Sequence, residues 1–268
     1  MPRGRSVVVR ATDEWLEQIA LRVVPVDLTT TVADLAFAGR YIPAGPGPDP
    51  IAGDFWDLVT LEPDLVAFVV GDVAGHGVAA VARMQQLRAA TRAYAVSEHG
   101  PASVVRRLDA LCARLDPESI ATLWYGEYQP STGILTYASA GHPPPVLIWH
   151  SDPTRLLQVA DAPPLGVGTA ADHVIEHHDV LAPGAVLVAY SYSDGLVERR
   201  GTDLEEQLAS LASVVTTACT RVGTGMVHEI SASILDTLVP DPEKAEDDVC
   251  LLVVRRAGVG DARTVRLP

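Results

Sequence analysis

The chain is predicted to fold as an α+β domain with its strands collected into antiparallel sheets and its helices into two blocks. Two observations carry this. Strand-like runs are joined by hairpin turns, at Glu62-Pro63-Asp64 and across 129–133, whereas helical composition gathers at 78–115 and 204–238. No regular βαβ alternation appears. A length of 268 residues with 48% hydrophobic content is enough for one large buried core, so one main domain is expected.

In chain order, apolar residues at Trp15, Leu16, Ile19, Ala20 and Val23 have helical spacing, with Asp13 available as an N-cap. A leading helix over 14–24 follows. Residues 32–41 alternate and then meet a loop, Pro43-Ala44-Gly45-Pro46-Gly47-Pro48-Asp49-Pro50, that delivers the chain to Asp54. A strand over 55–61 and the buried run 65–70 form a hairpin. Good helix formers fill 78–96, and Pro101 opens a second helix with apolar residues at Val104, Val105, Leu108, Leu111, Cys112 and Leu115. Strands are then expected at 121–128, 134–139, 146–149, 174–180 and 186–191, helices at 204–212 and 226–238, and a last strand at 249–255.

Composition excludes several classes of partner. A formal net charge of −14 disfavours nucleic acid and anionic membrane, whose phosphates reward clustered Lys and Arg. Cys112, Cys219 and Cys250 are too far apart for a CxxC motif and odd in number, so they read as buried free thiols. No run approaches the ~20 apolar residues of a membrane span, and no signal peptide is expected. A cytoplasmic location follows as the expectation.

The chemistry is carried by acids at strand ends. Asp54 and Asp57 sit in Ala52-Gly53-Asp54-Phe55-Trp56-Asp57, Asp72 in Gly71-Asp72-Val73-Ala74-Gly75-His76-Gly77, Asp194 in Ser193-Asp194-Gly195, and an acidic run ends at Asp247-Asp248. A carboxylate after an apolar run, beside glycine, can leave a sheet edge and present oxygen to a hard divalent cation. Taken singly, each has a plain alternative as a turn cap or a solvated loop acid. Asp72 is the strongest, because an acid following five apolar residues and a glycine is costly to bury without a cation or donors. The glycines around His76 allow a close backbone approach and start a helix whose amides face an anion.

Together and in order, these motifs, with Ala140-Gly141-His142-Pro143-Pro144-Pro145, Pro164-Leu165-Gly166 and Ser193-Asp194-Gly195-Leu196-Val197-Glu198, resemble the SpoIIE-like branch of the type 2C metal-dependent protein serine/threonine phosphatases. The resemblance runs from about Ala38 to Arg255. It implies a four-layer α-β-β-α sandwich of two antiparallel sheets flanked by helices, with two Mg²⁺ or Mn²⁺ ions at one end. Carried over motif by motif, Asp72 bridges both ions, Asp194 and Asp247 complete one, and Asp54 with the Val73 carbonyl completes the other. A water shared by the ions is then the nucleophile. Alternation does not distinguish Asp247 from Asp248; the family pattern selects Asp247. His76 is placed at the catalytic site, with His142 as a second motif histidine; each reads as a positioning residue or an acid catalyst.

The resemblance further implies a phosphorylated protein substrate, such as a STAS-type anti-sigma-factor antagonist in a bacterial partner-switching pathway. It places a lead-in at 1–35, a phosphatase domain at 36–258 and a tail at 259–268. Control by a separate regulatory protein, or by self-association as a homodimer through the leading helix, is expected, with the helices over 78–115 as the switch. The chain departs from the pattern at Ala52 and Trp56, and at Tyr190-Ser191-Tyr192-Ser193, where about two extra residues precede Asp194. A β-bulge would absorb them. That departure keeps a competing expectation open, a phosphatase-fold binding module with weak or no catalysis.

Overall fold

The computed structural model of the protein describes residues 27–42, 53–115, 120–149, 152–159, 162–168, 170–191, 204–222, 226–241 and 248–258. The expected leading helix, the Pro/Gly loop, Asp194 and Asp247 lie outside the described residues. In chain order the elements are β1 Leu28–Val32, β2 Leu35–Ile42, β3 Phe55–Glu62, β4 Leu65–Val73, α1 Gly77–Ser97, α2 Pro101–Leu115, β5 Ala121–Gln129 and β6 Ile134–Ala140. They continue with β7 Val146–Trp149, β8 Asp152–Leu156, α3 Ala170–His173, β9 His177–Val180, β10 Val186–Tyr190, α4 Leu204–Val222, α5 Val227–Leu238 and β11 Val249–Arg256.

The strands form two antiparallel sheets, ordered β1-β2-β11-β10-β7-β8 and β3-β4-β5-β6-β9. Their inner faces pack on each other through Phe37, Phe68, Trp124, Leu187 and Leu252. The outer face of the five-stranded sheet packs under α1 and α2 through Phe55, Val69, Met84, Val105 and Leu108. The outer face of the six-stranded sheet packs under α4 and α5 through Val188, Val215, Ile230 and Val253. This is the expected four-layer α-β-β-α sandwich. Because both faces of each sheet are covered, the central strands β4 and β11 read as continuous apolar runs rather than alternating ones.

Aromatic rings tie the inner layer together. Phe68, Trp124, Tyr137 and His177 step across β4, β5, β6 and β9 with ring centroids 5.6 to 5.7 Å apart, and Phe37 of the opposite sheet meets Phe68 edge-on at 5.7 Å. Gly126 makes room for this ladder, since a Cβ there would lie 2.6 Å from the Trp124 ring. The three cysteines are free and buried.

The differences from the sequence reading fall mainly on sheet edges. β1 lies within the expected 1–35 lead-in yet is hydrogen-bonded to β2 from Leu28↔Gly39 to Val32↔Leu35. β8 was not expected; it is a short polar edge strand that tolerates Pro153 because an edge position needs fewer backbone donors. The expected strand over 174–180 is reduced to β9, and the helix expected over 204–212 extends as α4 to Val222. No helix of the described residues is long and apolar enough to cross a membrane.

Candidate metal centre

The site begins with a glycine. A Cβ on Gly53 would lie 2.0 Å from the Val73 carbonyl oxygen, so only glycine lets the chain ahead of β3 lie against the end of β4. The Val73 N–H donates to the Gly53 carbonyl at 3.2 Å. Because Phe55 pairs with Gly71, extending that register by one residue sets Asp54 opposite Asp72 and by two sets Gly53 opposite Val73. Gly71 is required for the same alignment, as a Cβ there would meet the Phe55 ring at 2.7 Å. A two-residue register thus brings together the two acids and the carbonyl expected to share cations.

The six-stranded sheet closes the site from the other side. Asp54 is 1% exposed and its Oδ2 accepts a hydrogen bond from Ser191 Oγ at 2.5 Å, just past the end of β10. Asp248 is fully buried ahead of β11 and accepts from the Tyr41 hydroxyl on β2. Cys250, opposite Tyr41 in the β2–β11 register, lies among these acids. Burial pushes its thiol well above the ordinary range; the charges of Asp54, Asp248 and Asp72 push it further, and Arg88 opposes them. Burial first, then Asp248 and Asp54, raise the Tyr41 phenol as well. Both groups stay protonated at neutral pH.

These surroundings fit hard cations. The convergent donors are carboxylate and carbonyl oxygens, which suit Mg²⁺ or Mn²⁺ rather than zinc. Among the described residues, no group of three or more His, Cys, Asp or Glu side chains is spaced as a formed metal site. The expected set also includes Asp194 and Asp247. Asp247 adjoins Asp248 by one peptide bond, and Asp194 follows Ser191 by three residues, a reach of at most about 11 Å.

His76 is exposed at the N-cap of α1, with extended backbone and no side-chain capping bond. Gly75 and Gly77, with φ of 106° and 72°, supply the left-handed turns around it. His142 is different. It is buried, its Nε2 lies 2.9 Å from the Tyr190 carbonyl and its Nδ1 2.8 Å from Thr122 Oγ1. A carbonyl can only accept, so Nε2 carries the proton and Nδ1 accepts from the Thr122 hydroxyl. Since Thr122 pairs with Asp72, this ring joins the two sheets directly beside the acids.

Two further motifs are supports. Leu165 exchanges backbone hydrogen bonds with Ala121, at 2.8 and 3.2 Å, and the Gly166 N–H donates to buried Asp109 on α2 at 3.0 Å. Asp57 is a buried ion-pair partner and not a solvated loop acid: Arg92 reaches it at 2.5 Å and Arg88 at 3.2 Å, both from α1. Asp57→Ala should lower stability by about 2 kcal/mol in urea denaturation. Breaking a buried pair costs about 3–5 kcal/mol, but the half-exposed Arg92 can rehydrate. An unchanged midpoint would show that the pair contributes nothing.

Two packed antiparallel sheets between helix layers, with acids converging at one end of the sheets, define the type 2C phosphatase architecture. The chain belongs to the family described as Stage II sporulation protein E (SpoIIE), which it matches over residues 62–257. The matched stretch contains Asp72, Asp194 and Asp247, and Asp54 precedes it. Phosphoserine phosphatase RsbU of Bacillus subtilis (strain 168) is 24% identical over 208 residues, 77% of this chain and 60% of that protein. Protein IcfG of Synechocystis is 25% identical over 183 residues, 58% of this chain and 28% of that protein. The chain therefore spans between a quarter and three fifths of these curated relatives. Among solved structures, the RsbU and RsbW domains of Rv1364c from Mycobacterium tuberculosis are 30% identical with a TM-score of 0.71, over 88% of this chain and 62% of that one. RsbX in complex with magnesium, at 16% identity and a TM-score of 0.66, covers 87% of this chain and 100% of that one, and shares the fold.

Proposed function

We propose that the chain is a phosphoprotein phosphatase that hydrolyses phosphoserine or phosphothreonine with two Mg²⁺ or Mn²⁺ ions. The observation that carries this is the β3–β4 register, whose extension sets Asp54 opposite Asp72, together with the Val73 N–H bond to the Gly53 carbonyl, with Asp248, the neighbour of Asp247, buried at the opposite sheet. Asp72 would be shared by the two ions, Asp54 and the Val73 carbonyl would hold one of them, and Asp194 and Asp247 would hold the other. When bound, the ions supply an activated water and neutralise charge on the phosphoryl oxygens. His76, exposed at the head of α1, orients the phosphate, while the amides of the first turn of α1 favour its negative charge.

Support for the metals comes from RsbX with magnesium and from PstP, a phosphatase solved with two manganese ions. Support for the substrate class comes from the relative named phosphoserine phosphatase RsbU and from the RsbU and RsbW domains of Rv1364c. A STAS-type anti-sigma-factor antagonist is the proposed physiological substrate, in a cytoplasmic partner-switching pathway. The domain at 36–258 carries the activity, and a regulatory protein or homodimerisation controls it.

The test is hydrolysis with Mn²⁺ of p-nitrophenyl phosphate and of a phosphorylated STAS protein. Turnover of both, lost on chelation and faster for the phosphoprotein, is the expected result. No turnover of either by folded protein would leave a binding module in its place.

A further inference from the structure

We propose that Ser191 and Tyr41 are positioning residues of the metal centre, the first fixing the carboxylate of the ligand Asp54 and the second fixing Asp248, the buried neighbour of the ligand Asp247. The inference rests on the phosphatase reading and extends it to two residues outside the acid motifs. Ser191 is fully buried and its Oγ is engaged on two sides: it accepts the Cys250 N–H at 3.1 Å and lies 2.5 Å from Asp54 Oδ2. A backbone donor on one lone pair turns the hydroxyl proton away from itself. The Cys250 carbonyl, 3.5 Å from the same Oγ, is the longer and uncharged alternative acceptor, so the proton goes to the carboxylate.

Ser191 is itself anchored. Its N–H donates to the Cys250 carbonyl at 2.9 Å, so β10 stays in register with β11 through this residue. Tyr41 mirrors the arrangement from β2, donating to Asp248 Oδ2 across from Cys250. Each carboxylate thus has one oxygen pinned by a hydroxyl from a strand of the six-stranded sheet. For Asp54, fixing one oxygen fixes the rotamer and with it the direction of the other oxygen; for Asp248, it fixes the residue joined by one peptide bond to the ligand Asp247. Outer-shell donors of this kind set ligand orientation and metal affinity.

The experiment is calorimetric titration of Mn²⁺ into wild type, Ser191→Ala, Ser191→Thr and Tyr41→Phe, with p-nitrophenyl phosphate turnover followed against Mn²⁺ concentration. Ser191→Ala and Tyr41→Phe should each raise the Mn²⁺ Kd by about tenfold. The Mn²⁺ concentration needed for half-maximal turnover should rise by the same factor. Ser191→Thr, which restores the hydroxyl, should return the affinity. If Ser191→Ala fails to fold, Tyr41→Phe, which keeps the ring, still reads the same quantity. Wild-type Mn²⁺ affinity in the folded Ala and Phe variants would overturn the proposal. Wild-type protein that binds Mn²⁺ but turns over no phosphate ester would instead overturn the phosphatase reading, and the calorimetry would still decide the roles of the two hydroxyls.

Discussion

Asp72→Asn is expected to lose roughly a thousandfold in turnover, about 4 kcal/mol of transition-state stabilisation, and to bind Mn²⁺ with lower affinity and stoichiometry. The replacement keeps shape and one carbonyl oxygen, so β4 and its pairing with Thr122 should persist. What it removes is the charge that, in the proposed site, would let one carboxylate serve two cations. Asp72 is half-buried, paired with Thr122 on β5 and set opposite Asp54 by extension of the β3–β4 register, and β4 holds no other acid that could replace it. Asp54→Asn should weaken one ion more than the other, because the Val73 carbonyl remains. Calorimetry with both variants separates the roles, and equal affinity and stoichiometry for wild type and Asp72→Asn would refute the bridging assignment.

The central strands were legible because the four-layer packing makes them apolar on both faces, as in the run 65–70, and because turns such as Glu62-Pro63-Asp64 punctuate them. The strands that escaped or shrank, β1, β8 and β9, are edges. An edge strand buries little and carries polar residues against further pairing, as in Thr29, Thr30 and Thr31, so its hydrophobic signal is weak by design of the sheet.

The acids were legible for a different reason. Gly53, Asp54 and Asp72 stand in motifs whose glycines meet a steric need that the structure displays, the approach of Gly53 to the Val73 carbonyl. Their partners were not legible. Ser191 lies 137 residues from Asp54 and Tyr41 lies 207 residues from Asp248, and nothing local in the sequence marks a hydroxyl that will meet an acid from the opposite sheet. Asp57 misled for the same reason, since its two arginines arrive from a helix more than 30 residues away.

Acid should weaken the fold through His142, and by an amount large enough to measure. Burial pushes this imidazole down to about 4 from its ordinary value near 6.5, with the Tyr190 carbonyl acting in the opposite direction. The unfolded chain therefore binds a proton that the native ring refuses between those values. Stability from the neutral ring is complete above about pH 6.5, falls as pH drops toward 4 and levels off below it. The whole change is worth about 3 kcal/mol, most of it lost by pH 4.5. His142→Gln should be less stable than wild type at pH 7 and show a flatter decline, which urea midpoints at pH 7 and 4.5 would measure. Acid titration of the neighbouring aspartates is common to both proteins, so their difference isolates the ring. Equal pH slopes would show that His142 is not held neutral. Since the ring ties Thr122, opposite Asp72, to Tyr190, next to Ser191, its protonation places a charge in the buried seam between the two sheets beside the acids and should loosen that seam. Mn²⁺ affinity should consequently fall more steeply with acid in wild type than in His142→Gln.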